Sequence, residues 1–428
     1  MTQVVFHIGD RKTGSTSIQS TLAAGAVLCD PVRLLYPRQT ALTHNVLAQS
    51  FTDKSAPAGR RDTMFSSVVG EITRQAPDVA IISAEHFESV EPAALMEAIT
   101  THMPQYLDAT RVIAYVRPHA DRLVSEFAEQ VKQGVYFGTM EELHARIVKR
   151  ERFHFAPRFA KWRDVFGTRF ELRPMIRDKL YKQDVVADFL QYVLGDTPFE
   201  IREMQKFNES LSLHDLAILR ELQKQLRPAN GRAGPLQGTT GWAMARRMNS
   251  IAGSQNTRLR LHRSLAEELA ETYRDDAASL DATYFTGTPM SEALAAAPGK
   301  AIENAQSVEA KDLFDADTFR MVQLWTGQVA ELLLATPDVW PRYFRSTHRA
   351  NVTKGEADAT DAGIPAKKRK AGAKAGKTGA RKTGVAKGRA DGADDLAKPG
   401  RRAGKGPKAR GKKAQRSVEA AAQDDGSA

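Results

Sequence analysis

The sequence predicts a doubly wound α/β fold, and three observations lead to that prediction. Short runs rich in Val, Ile and Leu alternate with helical patterns, most of these runs look buried on both faces, and a glycine-containing turn of the P-loop type joins the first run to a helix. Alternating strands and helices are expected to build a parallel sheet through right-handed crossovers. The five strand candidates are VVFHI (4–8), RLLYP (33–37), VAIIS (79–83), RVIAYV (111–116) and RFELRPM (169–175).

Helical patterns lie between these strands and also dominate the later part of the chain. In 121–133, Leu123, Phe127 and Val131 recur on one helical face, and 15–24 is also expected to be helical. Further helices are expected over 211–226, 259–280 and 316–334, with a loop over 228–241 and with Trp325 and Trp340 as packing anchors. The predicted organisation is an α/β domain over 1–290, a helical C-terminal extension packed on it over 291–345, and a tail over 346–428.

The basic charge of the chain is concentrated in that tail. The chain has 428 residues and a net charge of +11, but 361–416 alone has 19 Lys and Arg against 4 Asp, which leaves −4 for the remainder. A segment of Ala, Gly, Lys and Arg buries too little apolar surface to fold, so the tail is expected to be disordered. It is a candidate for binding polyanions such as nucleic acid or an anionic glycan.

The single cysteine, Cys29, excludes an internal disulfide framework and fits a reducing compartment. The first strand begins almost at residue 1 with no leader pattern before it, and no apolar run is long enough to span a membrane. These features predict a cytoplasmic protein with no transmembrane segment. The sequence does not indicate an oligomeric state.

The turn HIGDRKTGSTSIQ (7–19) is a candidate phosphate site, because the N-terminus of a helix attracts anions. Gly9 and Gly14 have the spacing of the glycines in a Walker A loop, which continues with Lys and then Ser or Thr. Here Ser15 and Thr16 follow, and the lysine is Lys12, inside the loop. A nucleoside triphosphate with its magnesium ion therefore fits poorly, and a P-loop kinase or NTPase is the alternative function.

A second candidate phosphate-binding segment is YVRPHADRLVSEF (115–127). Arg117 follows a buried strand, and Ser125 lies two helical turns later. Ligands of doubly wound sheets bind outside the carboxyl ends of the strands, so Arg117 is expected to enter the same crevice as the first turn. Arginine binds phosphate through bidentate hydrogen bonds, and a serine adds a neutral donor.

The two segments together resemble the P-loop sulfotransferase family, in particular its bacterial carbohydrate-type members. The K-T-G-S-T motif (12–16) is similar to the family's 5′-phosphosulfate loop, and Arg117 and Ser125 have the separation of its 3′-phosphate pair. The segments 170–195 and FNESLS (207–212) are also similar to bacterial members, so that the likeness covers roughly 1–285. Ser17 departs from the tryptophan usual in cytosolic small-molecule enzymes, and no later Gly- and Lys-containing segment of the body matches the one that closes over the 3′-phosphate.

The resemblance implies that the donor is 3′-phosphoadenylyl sulfate and that no metal is required. It implies that Lys12 contacts the oxygen that bridges phosphate and sulfate, and that Arg117 and Ser125 hold the 3′-phosphate. The expected donor-binding residues around the 5′-phosphate are Arg11, Lys12, Thr13, Gly14, Ser15, Thr16 and Ser17.

Direct transfer also needs a base near the acceptor. The third strand is expected beside the first and ends at AEHF (84–87), where Glu85 falls at the position of the family's catalytic base. His86 and His44 are the alternatives. In an extended chain the side chains of Glu85 and His86 would point to opposite sides.

The function expected is sulfuryl transfer to a hydroxyl or amine of a small-molecule or saccharide acceptor, most simply a carbohydrate or glycoconjugate. The segments 38–75, 134–158 and 228–258, rich in Arg, Lys, Gln and His, are expected to shape the acceptor site. A nucleic-acid-binding protein led by the basic tail is the alternative from outside the enzymes. No aromatic residue interleaves the charges of the tail, so base stacking is not expected there.

Overall fold

The structure, a computed structural model, describes residues 2–37, 42–53, 57, 59–202, 210–251 and 257–348. Residues 349–428, which hold most of the predicted tail, and Phe207, Asn208 and Glu209 of the FNESLS segment lie outside the described residues. The strands are β1 (Gln3–His7), β2 (Val27–Leu28), β3 (Leu34–Leu35), β4 (Val79–Ser83), β5 (Thr110–Val116), β6 (Phe170–Pro174) and β7 (Glu200–Ile201). Disorder and polyanion binding by the tail stay predictions, as does the domain division near residue 290.

The α-helices fall into two groups along the chain. Those of the α/β part are α1 (Ser15–Ala23), α2 (Asn45–Gln49), α3 (Arg60–Gln75), α4 (Pro92–His102), α5 (His119–Lys132), α6 (Met140–Lys149), α7 (Phe155–Phe166) and α8 (Val185–Leu194). Those of the helical C-terminal region are α9 (Leu213–Gln225), α10 (Pro235–Asn249), α11 (Arg263–Thr272), α12 (Arg274–Tyr284), α13 (Pro289–Ala295), α14 (Ala297–Lys300), α15 (Ala310–Leu313) and α16 (Ala316–Ala335).

Five strands form a parallel sheet in the order β3-β4-β1-β5-β6, which confirms the predicted fold class. The first strand lies at the centre, with β4 on one side (Val5 opposite Ile81) and β5 on the other (Val5 opposite Arg111). The segments that follow β1, β4 and β5 therefore leave the same edge of the sheet side by side. The short β2 and β7 form a separate antiparallel pair.

Both faces of the central strands are buried, as their sequences predicted. Val4 and Phe6 of β1 belong to a core shared with α3, α4, α5 and α7, whereas Val5 belongs to a core on the other face shared with α1 and α8. Because successive side chains of a strand point to opposite faces, a run such as VVF is apolar at every position.

The helical region corrects three expectations. The predicted loop over 228–241 contains the start of α10, because Pro235 suits the first turn of a helix and Gly241 is a close-packed helical position. The helix predicted over 259–280 is two helices that meet at Tyr273. The predicted helix over 316–334 is confirmed as α16, but Trp325 is 61% exposed and anchors nothing, whereas Trp340 packs against a small core with α9 and α10.

Residues 340–348 are also helical, so the first residues assigned to the tail, 346–348, continue a helix. Within the described ranges, no helix has both the length and the apolar character needed to cross a membrane.

Candidate functional site

The turn 8–14 carries the chain from β1 into α1 in an unusual backbone conformation. Gly14, which precedes α1, has φ of 82°, and a Cβ at this position would lie 2.8 Å from Cγ1 of Val185. Lys12 also has a left-handed φ, of 68°. Such a conformation strains a lysine by on the order of 1 kcal/mol, so the surrounding contacts must hold the turn in place.

The start of α1 presents hydrogen-bond donors that suit an anion. The N–H groups of the first helical turn lack acceptors in the preceding turn of the helix, and the positive end of the helix dipole adds to their attraction for negative charge. The Ser15 hydroxyl is buried and has no hydrogen-bond partner, Thr16 is exposed, and Ser17 is half-buried. A buried hydroxyl without a partner costs stability, so an occupant that hydrogen-bonds Ser15 would stabilise the turn.

Arg117 lies beside this turn, as the sheet topology predicted. It follows β5 directly, and its Nη1 donates a hydrogen bond of 3.0 Å to the backbone carbonyl of Lys12. Burial lowers the pKa of Arg117, which remains a cation at neutral pH because an arginine titrates far above it. Ser125 is half-buried and lies two turns into α5.

A buried cluster of charged residues packs against the turn. The N–H of Arg11 donates to Asp10 Oδ1 (3.0 Å) and to Glu88 Oε2 (2.9 Å). Fully buried Asp10 lies 3.3 Å from Arg158 Nη2 and 3.7 Å from Arg122 Nε. Burial alone would raise the pKa of Asp10, but the two guanidinium groups outweigh it and lower that pKa.

The pKa of Glu88, unlike that of Asp10, is raised. Burial and the neighbouring charge of Asp10 raise the pKa of Glu88 to about 7, although Arg158 and Arg122 oppose the shift. Thr13 completes the support, because its buried hydroxyl donates to the carbonyl of Asp10 at 2.6 Å. The Thr13 hydroxyl therefore holds the turn together and is not available to a ligand.

The side chain of Lys12 reaches α5, where it meets Glu129. Lys12 Nζ lies 2.9 Å from Glu129 Oε2, and Lys132 Nζ lies 2.5 Å from the same oxygen. Oε1 of Glu129 accepts hydrogen bonds from Gln133 and, at 2.8 Å, from the indole N–H of Trp242. Burial opposes ionisation of Glu129, but Lys132 and Lys12 together hold its pKa far below the usual range.

Glu85 is the second carboxylate at this edge of the sheet. It begins a 3₁₀ helix (Glu85–Ser89) directly after β4, and a Cβ on Gly9 would lie 3.0 Å from its Cα, so its backbone abuts the turn. Burial raises the pKa of Glu85; Lys12 lowers it and Glu129 raises it. Lys12 acts on both carboxylates, and the pKa of Glu85 is raised whereas that of Glu129 is lowered.

The two histidines proposed as alternative bases differ in their surroundings. His44 is buried, accepts a hydrogen bond from the N–H of Ser83 at Nδ1 (3.1 Å), and donates to the carbonyl of Pro37 from Nε2 (2.6 Å). Burial lowers the pKa of His44 to about 4. Because both ring nitrogens bond to the backbone, His44 has no atom free to take a proton, and its position indicates a structural role.

His86 is half-buried, and its Nδ1 lies 3.4 Å from Nε2 of Gln49. Burial lowers the pKa of His86. Glu85 and His86 were expected to point to opposite sides if the chain stayed extended. The chain is not extended there, because both residues belong to the 3₁₀ helix.

Sequence reasoning missed four residues around Lys12. Glu129 and Lys132 lie one and two turns beyond Ser125 on the same side of α5, a polar stripe at helical spacing that the sequence does contain. Trp242 and Arg246 lie one turn apart on α10, and were missed because part of that helix was predicted to be a loop. The missed residues are Glu129, Lys132, Trp242 and Arg246.

The fold thus gathers Lys12, Glu85, Arg117 and the start of α1 at the carboxyl edge of the central strands. This is the place where doubly wound proteins bind their ligands, and the donors there suit a phosphorylated one. Comparison of the chain with models of protein families, with curated proteins and with solved structures finds no match.

Proposed function

We propose that this chain is a sulfotransferase that moves a sulfuryl group from 3′-phosphoadenylyl sulfate to a hydroxyl or amine, most simply of a carbohydrate. The observation that carries this proposal is the 3.0 Å hydrogen bond from Arg117 Nη1 to the Lys12 carbonyl. It brings the two candidate phosphate-binding segments side by side at the edge of the sheet. A nucleotide with phosphates on both its 5′ and 3′ oxygens needs such a pair of sites.

The residues present fit this donor. The start of α1 with the buried, unpartnered Ser15 hydroxyl would hold the 5′-phosphate, and Arg117 with Ser125 would hold the 3′-phosphate. Lys12 precedes Gly14 in the sequence, whereas a Walker lysine follows the second glycine, and its side chain extends to Glu129 of α5. This position suits contact with a group attached beyond the 5′-phosphate.

The donor supplies a sulfuryl group that is activated by its bond to phosphate. Two side chains of the protein, Glu85 and Lys12, assist its transfer. The acceptor oxygen or nitrogen bonds to sulfur while the bond from sulfur to the bridging oxygen breaks. Glu85 takes the acceptor proton, and its raised pKa makes it a stronger base than an exposed carboxylate. Lys12 leaves Glu129 and neutralises the charge that develops on the bridging oxygen.

Ligand-dependent stability tests this proposal without knowledge of the acceptor. We expect adenosine 3′,5′-bisphosphate to stabilise the protein in the presence of EDTA, by roughly 2.7 kcal/mol at a concentration 100 times its dissociation constant. Thermal unfolding is measured with this ligand, with ATP, and with ATP plus magnesium. Stabilisation by ATP plus magnesium alone would overturn the proposal in favour of a P-loop kinase or NTPase.

A further inference from the structure

Helix α16 is apolar on two opposite sides, and only one of these sides is covered. Its inner side, which includes Ala330 and Leu333, packs on a small core with α9 and α10. We call its outer side the α16 stripe; the members, all exposed among the described residues, are Met321, Leu324, Trp325, Gln328, Leu332 and Ala335. A helix that is apolar all round is normally buried all round. The stripe therefore has the composition of a surface that another element covers.

The exposed area of the stripe is large enough for a dimer interface. Its four large side chains are more exposed than buried or evenly divided: Met321 is 50% exposed, Leu324 60%, Trp325 61% and Leu332 58%. Because each exposes on the order of 100 Å², one stripe presents roughly 400 Å² of apolar surface. Two stripes would bury roughly 800 Å², and apolar atoms form about 60% of an interface, so the whole contact comes to roughly 1,300 Å². Specific interfaces begin at about 1,200 Å².

The remainder of the chain and a membrane both fit the stripe less well than a second copy does. Residues 349–428 contain five Val, Ile or Leu residues, at least 11 positions apart, and no Met or aromatic residue, so they cannot form a matching apolar face. Helices that lie on membranes are rich in Lys and Arg on their polar side. In α16 the charged residues are Arg320 and two acids, Asp317 and Glu331.

The stripe is also nearly symmetric about Gln328. Leu324 and Leu332 lie four residues to either side of it, and Met321 and Ala335 lie seven residues to either side. In an antiparallel pair of α16 helices with a twofold axis at Gln328, Leu324 of one copy would face Leu332 of the other. Met321 of one copy would face Ala335 of the other, so a long side chain meets a short one, as in closely packed helices.

Charge favours this antiparallel pair over a parallel one. In a parallel pair Arg320 would lie level with its own copy, as would Glu331, and the two helix dipoles would point the same way. An antiparallel pair separates the like charges and opposes the dipoles. We infer that the protein is a dimer in which the α16 stripes of two copies pack antiparallel about Gln328. The inference does not depend on the proposed function, because none of the proposed donor-site residues belongs to α16.

Sedimentation equilibrium of the full chain tests the interface. We expect a dimer whose dissociation constant rises at least about tenfold in Leu332→Gln and about 30-fold in Trp325→Ala, since buried apolar contacts at the interface are lost. Leu334→Gln is the matched control, because Leu334 is 48% exposed on the same helix but two residues from Leu332 and therefore on another side. It is expected to keep the wild-type constant. Thermal midpoints of the diluted proteins check that each variant folds.

Disulfide cross-linking tests the orientation of the two helices. In the antiparallel pair the two copies of position 328 meet at the axis, whereas the two copies of position 321 lie about 14 residues apart along the helices, roughly 21 Å. A disulfide needs Cα atoms within about 7 Å of each other. We therefore expect Gln328→Cys, and not Met321→Cys, to give a covalent dimer on mild oxidation. The native Cys29 is buried, and the wild type oxidised in parallel is the control for it.

Several results would overturn the inference. These are a wild type that stays monomeric at high concentration, an equal effect of Leu334→Gln and Leu332→Gln, and cross-linking of Met321→Cys as readily as Gln328→Cys. A monomer that binds vesicles of phosphatidylserine and phosphatidylcholine, with binding lost in Leu332→Gln, would assign the stripe to a membrane instead. Binding of adenosine 3′,5′-bisphosphate is expected to be the same in Leu332→Gln and the wild type, so failure of the dimer leaves the proposed function standing.

Discussion

Glu88 is expected to make the stability of the protein fall as pH rises toward neutrality. Its pKa is raised from the ordinary 4.5 to about 7 in the folded protein, first by burial and then by Asp10. Between these values Glu88 binds more protons in the folded state than in the unfolded state, so its contribution to stability is fully present below pH 4.5 and is lost as the pH rises to about 7. A difference of this size corresponds to about 3 kcal/mol.

The substitution Glu88→Gln tests this expectation. The glutamine oxygen keeps an acceptor for the N–H of Arg11 but has no proton to lose, so the variant is expected to escape the decrease. Urea unfolding is measured for both proteins from pH 4.5 to 8.5. We expect the variant to gain about 3 kcal/mol relative to the wild type across pH 4.5–7 and to gain nothing further above that range.

Two features keep the measurement interpretable. Asp10 does not contribute in this range, because its pKa is lowered and its titration lies at more acidic pH. Glu97→Gln, at an exposed position of α4, is the matched control and is expected to follow the wild type. A difference between Glu88→Gln and the wild type that stays the same from pH 5 to pH 8 would refute the reasoning.

Three further variants test the donor site and the chemistry. Arg117→Ala is expected to weaken adenosine 3′,5′-bisphosphate by roughly 1.5–3 kcal/mol more than adenosine 5′-phosphate, measured by calorimetry; equal losses would make Arg117 structural. Lys12→Ala is expected to lower turnover of labelled donor while binding persists. Glu85→Gln is expected to cut turnover about 10²- to 10⁴-fold with donor affinity kept, with His86→Ala as the control; full activity in Glu85→Gln would exclude Glu85 as the base.

The central sheet was predictable from the sequence because its residues carry the signal themselves. Buried parallel strands such as β4 and β5 are apolar at nearly every position, and the neighbouring places of β1 and β4 follow from the usual order of such sheets. The placement of Arg117 against the turn followed from the same topology, because it depends on which strand ends where.

The surroundings of Lys12 were not predictable in the same way. Gly238 and Gly241 made the start of α10 look like a loop, yet Gly241 is there because Lys132 leaves no room for a Cβ. Such a reason is tertiary and leaves no periodic pattern. The partner of Lys12 could have been suspected from the spacing of Ser125, Glu129 and Lys132, but only the fold brings that side of α5 to the turn.

The ion pair between Lys12 and Glu129 has a consequence for how an anionic ligand competes for the site. Lys12 already has a counter-ion, so a ligand that binds it replaces one ion pair with another. Dissolved salt weakens the pair that is lost as well as the pair that is gained. We therefore expect the affinity contributed by Lys12 to depend less steeply on ionic strength than that of an unpaired lysine. The same replacement would separate Glu129 from Lys12, and Glu129 would then be held by Lys132, Gln133 and Trp242.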